Sequence, residues 1–214
     1  MFVLEQVFKD KKAVHSDAFN LRIHRGLSWF KKATQLDDDL DLKFITLWIS
    51  FHALYAQELE HLQNQQHLSQ FLQTMLQHDV DHKIEIILLE RSSQPIYRLL
   101  NSSYSMQSYW DYQNQAISLE AYKAQRGHEK KKVTEAIENK HTEDILLILF
   151  SRLCTLNDQF MQGGCSYKSA LNREQLQDAC LVLSALLPAL IYILLENADA
   201  LDNGKPYYPV AQVS

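Results

Sequence analysis

The uncharged segment from Ala179 to Leu195, ACLVLSALLPALIYILL, constrains the fold of this chain more than any other feature. Its length and apolar character suit either a membrane span or a helix buried in a protein core. Asp178 and Glu196 bound the segment, Ser184 and Pro188 interrupt it, and no Lys or Arg lies close to either end. These features favour a central buried helix, and we expect no membrane partner.

The scarcity of turn-forming residues predicts helices along the rest of the chain. The 214 residues are 46% apolar but include only 5 Gly and 4 Pro. A many-stranded sandwich, a dinucleotide-binding turn or a phosphate-binding loop requires more of these residues at defined positions. No repeat or break in composition divides the chain. We therefore predict one all-α domain over residues 1–214, an up-and-down helical bundle with extra peripheral helices and no nucleotide cofactor.

Charge and cysteine content narrow the classes of partner and compartment. The net charge of -5 gives no overall attraction to nucleic acid, so any RNA contact requires a local basic patch. The one tight basic cluster, residues 130–132, is typical of a solvated helix face. Cys154, Cys165 and Cys180 lack the paired spacing of a disulfide framework or a zinc site, which predicts reduced thiols.

The N-terminal stretch MFVLEQVFKDKK mixes charges into its apolar residues. It therefore lacks the uninterrupted apolar core of a signal peptide. Together with the reduced cysteines, this predicts a cytoplasmic protein.

Apolar periodicity and capping residues predict the individual helices. The first expected helices cover 17–34, with Ser16 as N-cap, then 42–64, and then 68–91 with a break near Asp79. A short helix restarts at Ser93-Gln94-Pro95, and a further helix covers 119–139. Thr142 caps the next helix, which stops at Gly163-Gly164, and the last helix has Asn172 as N-cap with Gln175 completing a capping box. Residues 101–115 are polar and aromatic without periodicity, which indicates a long connection.

The second predicted helix is apolar on two faces, which places it in the middle of a bundle. One stripe contains Phe44, Leu47, Phe51 and Leu54, and the other contains Ile45, Trp48, Tyr55 and Leu59. His52 falls within the second stripe. We therefore expect its imidazole to be buried and hydrogen-bonded.

Nine histidines in a helical chain invite a search for metal ligands. Two ExxH pairs occur, Glu58 with His61 and Glu138 with His141, as in di-iron bundles. The second pair lies in a polar setting at an expected helix end, where ligands are not held in a dry core. His78 and His82 are one turn apart, but aspartates beside them are typical of an exposed helix. We expect no metal and no other cofactor.

The stretch from Ile148 to Ala179, ILFSRLCTLNDQFMQGGCSYKSALNREQLQDA, resembles a segment of the HEPN-type helical ribonucleases. In that family a helix closes with Arg-Asn, three intervening residues, and His followed by Gly. LRIHRGLSWFKKA from Leu21 and KFITLWISFHALYAQ from Lys43 are similar to the first two helices of the family. GKPYYPV from Gly204 is similar to its C-terminal end. The resemblance covers most of the chain.

In active HEPN members the Arg and His meet across a homodimer interface and cleave RNA without a metal, through attack of the ribose 2'-hydroxyl on the adjacent phosphate. The resemblance aligns Asn157 with the Arg, Asp158 with the neighbouring polar residue and Gln162 with the His. Asn157 carries no charge and Gln162 cannot accept a proton. No arginine of the chain is followed by His at the motif spacing. The reactive pair is therefore replaced and not displaced.

The resemblance implies a homodimeric, catalytically degenerate protein that binds an RNA or protein partner. It would act as a regulatory component of a stress or defence system, such as a toxin–antitoxin pair. The candidate binding residues are Arg152, Asn157, Asp158, Gln162 and His52, none of which is assigned a catalytic role. Two alternatives remain open: an endoribonuclease rebuilt around Arg152, Asp158 and His52, and a metal-binding bundle that uses the ExxH pairs.

Overall fold

The computed structural model describes residues 2–55, 64–202, 206 and 208. These residues form helices, turns and connections without a β-strand, which confirms the all-α prediction. The α-helices are α1 (Phe2–Lys11), α2 (Asp17–Ala33), α3 (Leu40–Tyr55), α4 (Asn64–Gln77), α5 (Lys83–Ile86), α6 (Ser93–Asn101), α7 (Gln107–Gln113), α8 (Leu119–Glu138), α9 (Thr142–Met161), α10 (Arg173–Glu196) and α11 (Ala198–Leu201). A π-helical turn, Ile87–Arg91, lies between α5 and α6.

Several predicted helix boundaries are confirmed by their capping contacts. The Ser16 hydroxyl accepts a hydrogen bond from the Phe19 amide at 3.1 Å, and so caps α2 at the predicted residue. Pro95 lies in the first turn of α6. After α9 the chain reaches Gly163 with a φ of 69°, a left-handed conformation that favours glycine and ends the helix.

Other local predictions were wrong. Thr142 is the first residue of α9 and not its cap. Asn172 directly precedes α10 but has a φ of 57°, and its side-chain nitrogen donates to Gln159 Oε1 at 2.5 Å. Its side-chain oxygen has no hydrogen-bond partner in the described part of the chain, so the predicted capping box does not form. Residues 101–115 contain α7 and the 3-10 turn Ser103–Ser105 where a plain connection was expected.

Contacts group the chain into two compact units, of which the first comprises 1–83 and 183–214. Its most extensive helix pair is α2 with α3. The Ser50 hydroxyl donates to the Gly26 carbonyl at 2.7 Å, and a Cβ at Gly26 would lie 2.5 Å from Leu54 Cδ2. Gly26 therefore permits the close approach of the two helices.

The second unit comprises residues 84–182, and its helix pairs include α6 with α9, α7 with α8 and α8 with α9. Arg98 on α6 forms a bidentate pair with Asp178 on α10, at 2.8 Å from Nε to Oδ2 and 2.5 Å from Nη2 to Oδ1. The Asp178 side chain is only 3% exposed, whereas Arg98 is 43% exposed. The pair fastens the first turns of α10 to this unit. The single-domain organisation over 1–214 stays a prediction.

The uncharged segment from Ala179 to Leu195 lies inside α10. In the described residues α10 is the one helix whose length and hydropathy suit a bilayer, and 72% of its apolar window is buried. Burial of this extent is that of a core helix, as predicted.

Candidate functional site

The three positions that align with the HEPN motif lie together at the C-terminal end of α9. Asn157 Nδ2 lies 3.5 Å from Asp158 Oδ1, and the backbone N–H of Gln162 donates to the backbone carbonyl of Asp158 at 2.9 Å. Asp158 and Gln162 are exposed, and Asn157 is half-buried. Three polar side chains thus lie close together, and none of them carries a positive charge.

Arg152 is placed differently from the other candidates of this unit. Its side chain is 5% exposed and its Nη2 lies 2.6 Å from Glu129 Oε2 on α8. The angles do not meet hydrogen-bond geometry, so attraction between opposite charges holds the contact. At 3.6 residues per turn, Asn157 lies about 140° around the helix from Arg152. The guanidinium is therefore committed to the interior and does not face the exposed end of α9.

Gln159 organises the end of α9, a role that was not predicted from the sequence. Its Nε2 donates to the Tyr104 carbonyl at 3.1 Å, while its Oε1 accepts from Asn172 at 2.5 Å. The Trp110 indole donates to the same Tyr104 carbonyl at 2.8 Å. The end of α9 is thereby joined to the turn before α7 and to the start of α10. These contacts join residues that are 55 and 13 positions apart, beyond the reach of helical periodicity.

The segment that follows α9 presents apolar side chains to solvent. Met161 is 59% exposed and Tyr167 is 63% exposed, and Leu171 is exposed as well. Between residues 157 and 172, Asp158 and Lys168 are the only charged side chains. Exposed apolar residues with nearly balanced charge are typical of a protein-binding surface rather than a phosphate-binding one.

Cys154, one turn before Asp158, is not an activated thiol. Burial, together with the negative charge of Asp158, raises the pKa of Cys154 to about 12. The thiol therefore stays protonated at neutral pH and is a poor nucleophile.

His52 belongs to the first unit, on α3, whereas the α9 positions belong to the second. The imidazole lies among Trp48, Phe51 and Tyr55, with a ring-centroid distance of 5.4 Å to Trp48 and 4.9 Å to Tyr55. Its Nε2 is 3.5 Å from the Tyr55 hydroxyl. The residue is half-buried and not fully buried as predicted. Burial lowers the pKa of His52, so its neutral form is favoured.

The described residues contain no group of three or more His, Cys, Asp or Glu side chains able to hold a metal ion. The Glu58 and His61 pair lies outside the described residues. His141 Nδ1 lies 3.4 Å from Asp144 on an exposed helix start, and His78 Nδ1 contacts the Thr74 carbonyl at 2.9 Å. These two histidines therefore have local partners.

No family model, no curated protein and no solved structure matches this chain.

Proposed function

We propose that this chain is a catalytically inactive HEPN-like protein that acts as a binding component and dimerises through the end of α9. The supporting observation is made at the end of α9, where exposed apolar side chains lie beside Asn157 and Gln162. These two uncharged residues occupy the positions of the family's reactive Arg and His. As a resemblance to a defence family implies, the proposed role is a regulatory one in a stress or defence system. The proposal includes an up-and-down HEPN-like bundle topology.

The absence of the reactive pair is the chemical part of the proposal. Metal-independent RNA cleavage requires a group that moves the proton of the 2'-hydroxyl and a cation that neutralises the phosphate. Gln162 cannot move a proton and Asn157 carries no charge. The rebuilt-enzyme alternative would use Arg152, but that guanidinium is buried against Glu129. The geometry supports binding over cleavage.

The dimer is the structural part of the proposal. In the HEPN family the segment that resembles 148–179 lies at a two-fold interface. Here Met161, Tyr167 and Leu171 provide exposed apolar area at that segment, and a two-fold contact would bring each of them close to its own counterpart. Burying such side chains between two copies is favourable because it removes apolar surface from water.

Light scattering after size exclusion tests the dimer. We expect the wild-type chain to have twice the mass of 24.9 kDa at tens of micromolar, and the double variant Met161→Asp/Tyr167→Asp to be monomeric. The matched control is Val80→Asp, which changes an exposed apolar residue of the other unit and should leave the dimer intact. A wild-type monomer, or equal dissociation of both variants, would contradict the proposed interface.

A further inference from the structure

Five aromatic rings form a continuous group across α7, α8 and the turn before α7. This aromatic cluster consists of Tyr104, Tyr109, Trp110, Tyr112 and Tyr122. The Tyr112 and Tyr122 rings are stacked at 5.3 Å with an interplanar angle of 9°, and Tyr109 contacts Tyr122, Trp110 and Tyr104 at centroid distances of 6.2, 5.2 and 5.3 Å. Tyr104 is 40% exposed, and Trp110 and Tyr112 are half-buried. Part of the cluster is therefore accessible to a planar ligand.

A row of cations begins beside this cluster. Lys123, Arg126 and Lys130 are exposed on α8, and at 3.6 residues per turn they fall within an arc of about 60°. We call these three residues the basic stripe. Arg126 is one helical turn beyond Tyr122, so the stripe and the aromatic cluster are neighbours on the same helix.

The acidic residues of α8 are Glu120, Glu129, Glu135 and Glu138, and none of them forms an ion pair with the basic stripe. Glu129 is turned toward Arg152, at 2.6 Å, and Glu135 lies 3.7 Å from Lys131 outside the stripe. Glu120 is exposed one turn before Lys123 and is the nearest carboxylate to the stripe in sequence. Within residues 2–55 and 64–202, no ion pair involves a member of the stripe. Three unpaired, exposed cations in a row are thus maintained in a chain whose net charge is -5.

We propose that the basic stripe and the aromatic cluster together bind single-stranded nucleic acid. The stripe neutralises successive phosphates, whose charge supplies most of the affinity of sequence-independent binding. The accessible rings of the cluster stack on bases, a contact that every base offers. A duplex keeps its bases stacked on each other, so it can use the stripe but not the rings. This surface lies on α7 and α8, and its activity does not depend on the dimer or on the loss of cleavage at α9.

Fluorescence anisotropy with labelled oligouridine and oligothymidine of about 12 nucleotides tests the proposal, since single-stranded sites span roughly 4–16 nucleotides. With three phosphate contacts, affinity should fall about 20-fold between about 50 and 200 mM salt. The variant Lys123→Gln/Arg126→Gln/Lys130→Gln should lose most of the affinity and most of this salt dependence. The control Lys32→Gln/Lys131→Gln/Lys132→Gln has the same change in net charge away from the stripe and should bind as the wild type does. Circular dichroism verifies that both variants are folded.

The stacking contact is tested with Tyr104→Leu, which removes an exposed ring but keeps the carbonyl that accepts from Trp110 and Gln159. We expect about 5-fold weaker binding of the single strands or more, with unchanged salt dependence. Binding of either the RNA or the DNA strand with these properties supports the proposal, and their ratio tells which of the two is preferred. Absence of saturable binding to both strands, equal losses in the two triple variants, or equal affinity for a duplex of the same length would overturn it.

Discussion

At the residue scale, His52 couples the stability of the first unit to pH. Burial lowers its pKa below the ordinary value of 6.5, so protonation favours the unfolded chain. The contribution of the neutral imidazole is fully present above pH 6.5, and it is lost as the pH falls through the lowered pKa of the folded state. Trp48, Phe51 and Tyr55 around the ring carry no acidic group that would counter this effect.

We therefore expect the free energy of unfolding of the wild type to decrease between about pH 7 and about pH 5, and His52→Phe to show a shallower decrease. Urea titrations at several pH values measure this difference. His24→Phe makes the same replacement at an exposed position of α2 and is the control, which should show a steeper decrease than His52→Phe. Equal pH dependence in wild type and His52→Phe would show that burial of this imidazole has no effect on stability.

Arg98 and Asp178 give a second test at this scale. The carboxylate is 3% exposed, so it depends on the guanidinium for compensation of its burial. We expect Arg98→Met to lower the melting temperature, since it leaves a buried charge without its bidentate partner. Arg91→Met removes an exposed arginine of the same unit and should have a smaller effect. Equal melting temperatures of the two variants, measured by circular dichroism, would contradict a structural role for the pair.

At the scale of the element, replacing either of two helical glycines by alanine should have opposite effects on the free energy of unfolding. An alanine Cβ at position 26 would lie 2.5 Å from Leu54 Cδ2, and Leu54 is fully buried between close helices. Overpacking of this kind costs about 1 to 3 kcal/mol, which exceeds the gain of roughly 1 kcal/mol in helix propensity. At Gly127 on α8, no described residue outside the helix's own backbone and the adjacent residues comes within 4 Å of the same Cβ, so only the propensity gain applies.

Gly26→Ala should therefore lower the free energy of unfolding by up to about 2 kcal/mol, whereas Gly127→Ala should raise it by about 0.5 to 1 kcal/mol. Denaturant titrations of the two variants and the wild type measure both values. Stabilisation by Gly26→Ala would show that α2 and α3 have room for a methyl group at this position.

Helix boundaries that depend on contacts between residues close in sequence could be predicted, whereas those that depend on contacts between elements could not. Ser16 and Gly163 act within a few residues of themselves, so the start of α2 and the end of α9 could be predicted from sequence. Asn172 was predicted as a cap, but its φ of 57° departs from the extended backbone of an N-cap, and donation to Gln159 on another element orients its side chain. α7 was missed because it is only seven residues long. Tyr109 and Tyr112, which pack against Tyr122 of α8, make a single pair at helical spacing and no repeated pattern.

The same reasoning applies to the candidate site. The adjacency of Asn157, Asp158 and Gln162 could be predicted because all three follow one helix and its end. The burial of Arg152 could not, because it depends on Glu129 from a different helix. Local sequence thus determined which residues lie at the end of α9, and tertiary contacts determined which of them are accessible.

At the scale of the whole molecule, the second unit has two surfaces of different chemistry. The end of α9 has exposed apolar side chains and nearly balanced charge, which suits a second protein chain. The α7–α8 surface has three unpaired cations beside aromatic rings, which suits a single strand of nucleic acid. A protein that binds without cleaving can use both surfaces at once. Because the net charge of -5 gives no overall attraction to nucleic acid, the proposed contact depends on these local cations.

Under the proposed function the chain does not cleave RNA, because Asn157 and Gln162 stand where the HEPN family has its reactive Arg and His. Removing a positioned general acid–base costs roughly 10² to 10⁴ in rate, and removing an electrostatic stabiliser costs roughly another 10² to 10³. Asn157→Arg/Gln162→His restores both groups at the aligned positions and is expected to recover a small rate. Recovery is limited because a misplacement of about 1 Å costs roughly 10²-fold.

The most direct measurement is the cleavage of labelled single-stranded RNA by the purified wild-type chain in the presence of a chelator. We expect no cleavage above the buffer background by the wild type, and measurable cleavage by Asn157→Arg/Gln162→His. The opposite result would contradict this expectation: wild-type cleavage that persists in chelator and disappears in Asp158→Ala would show an active site rebuilt at the end of α9.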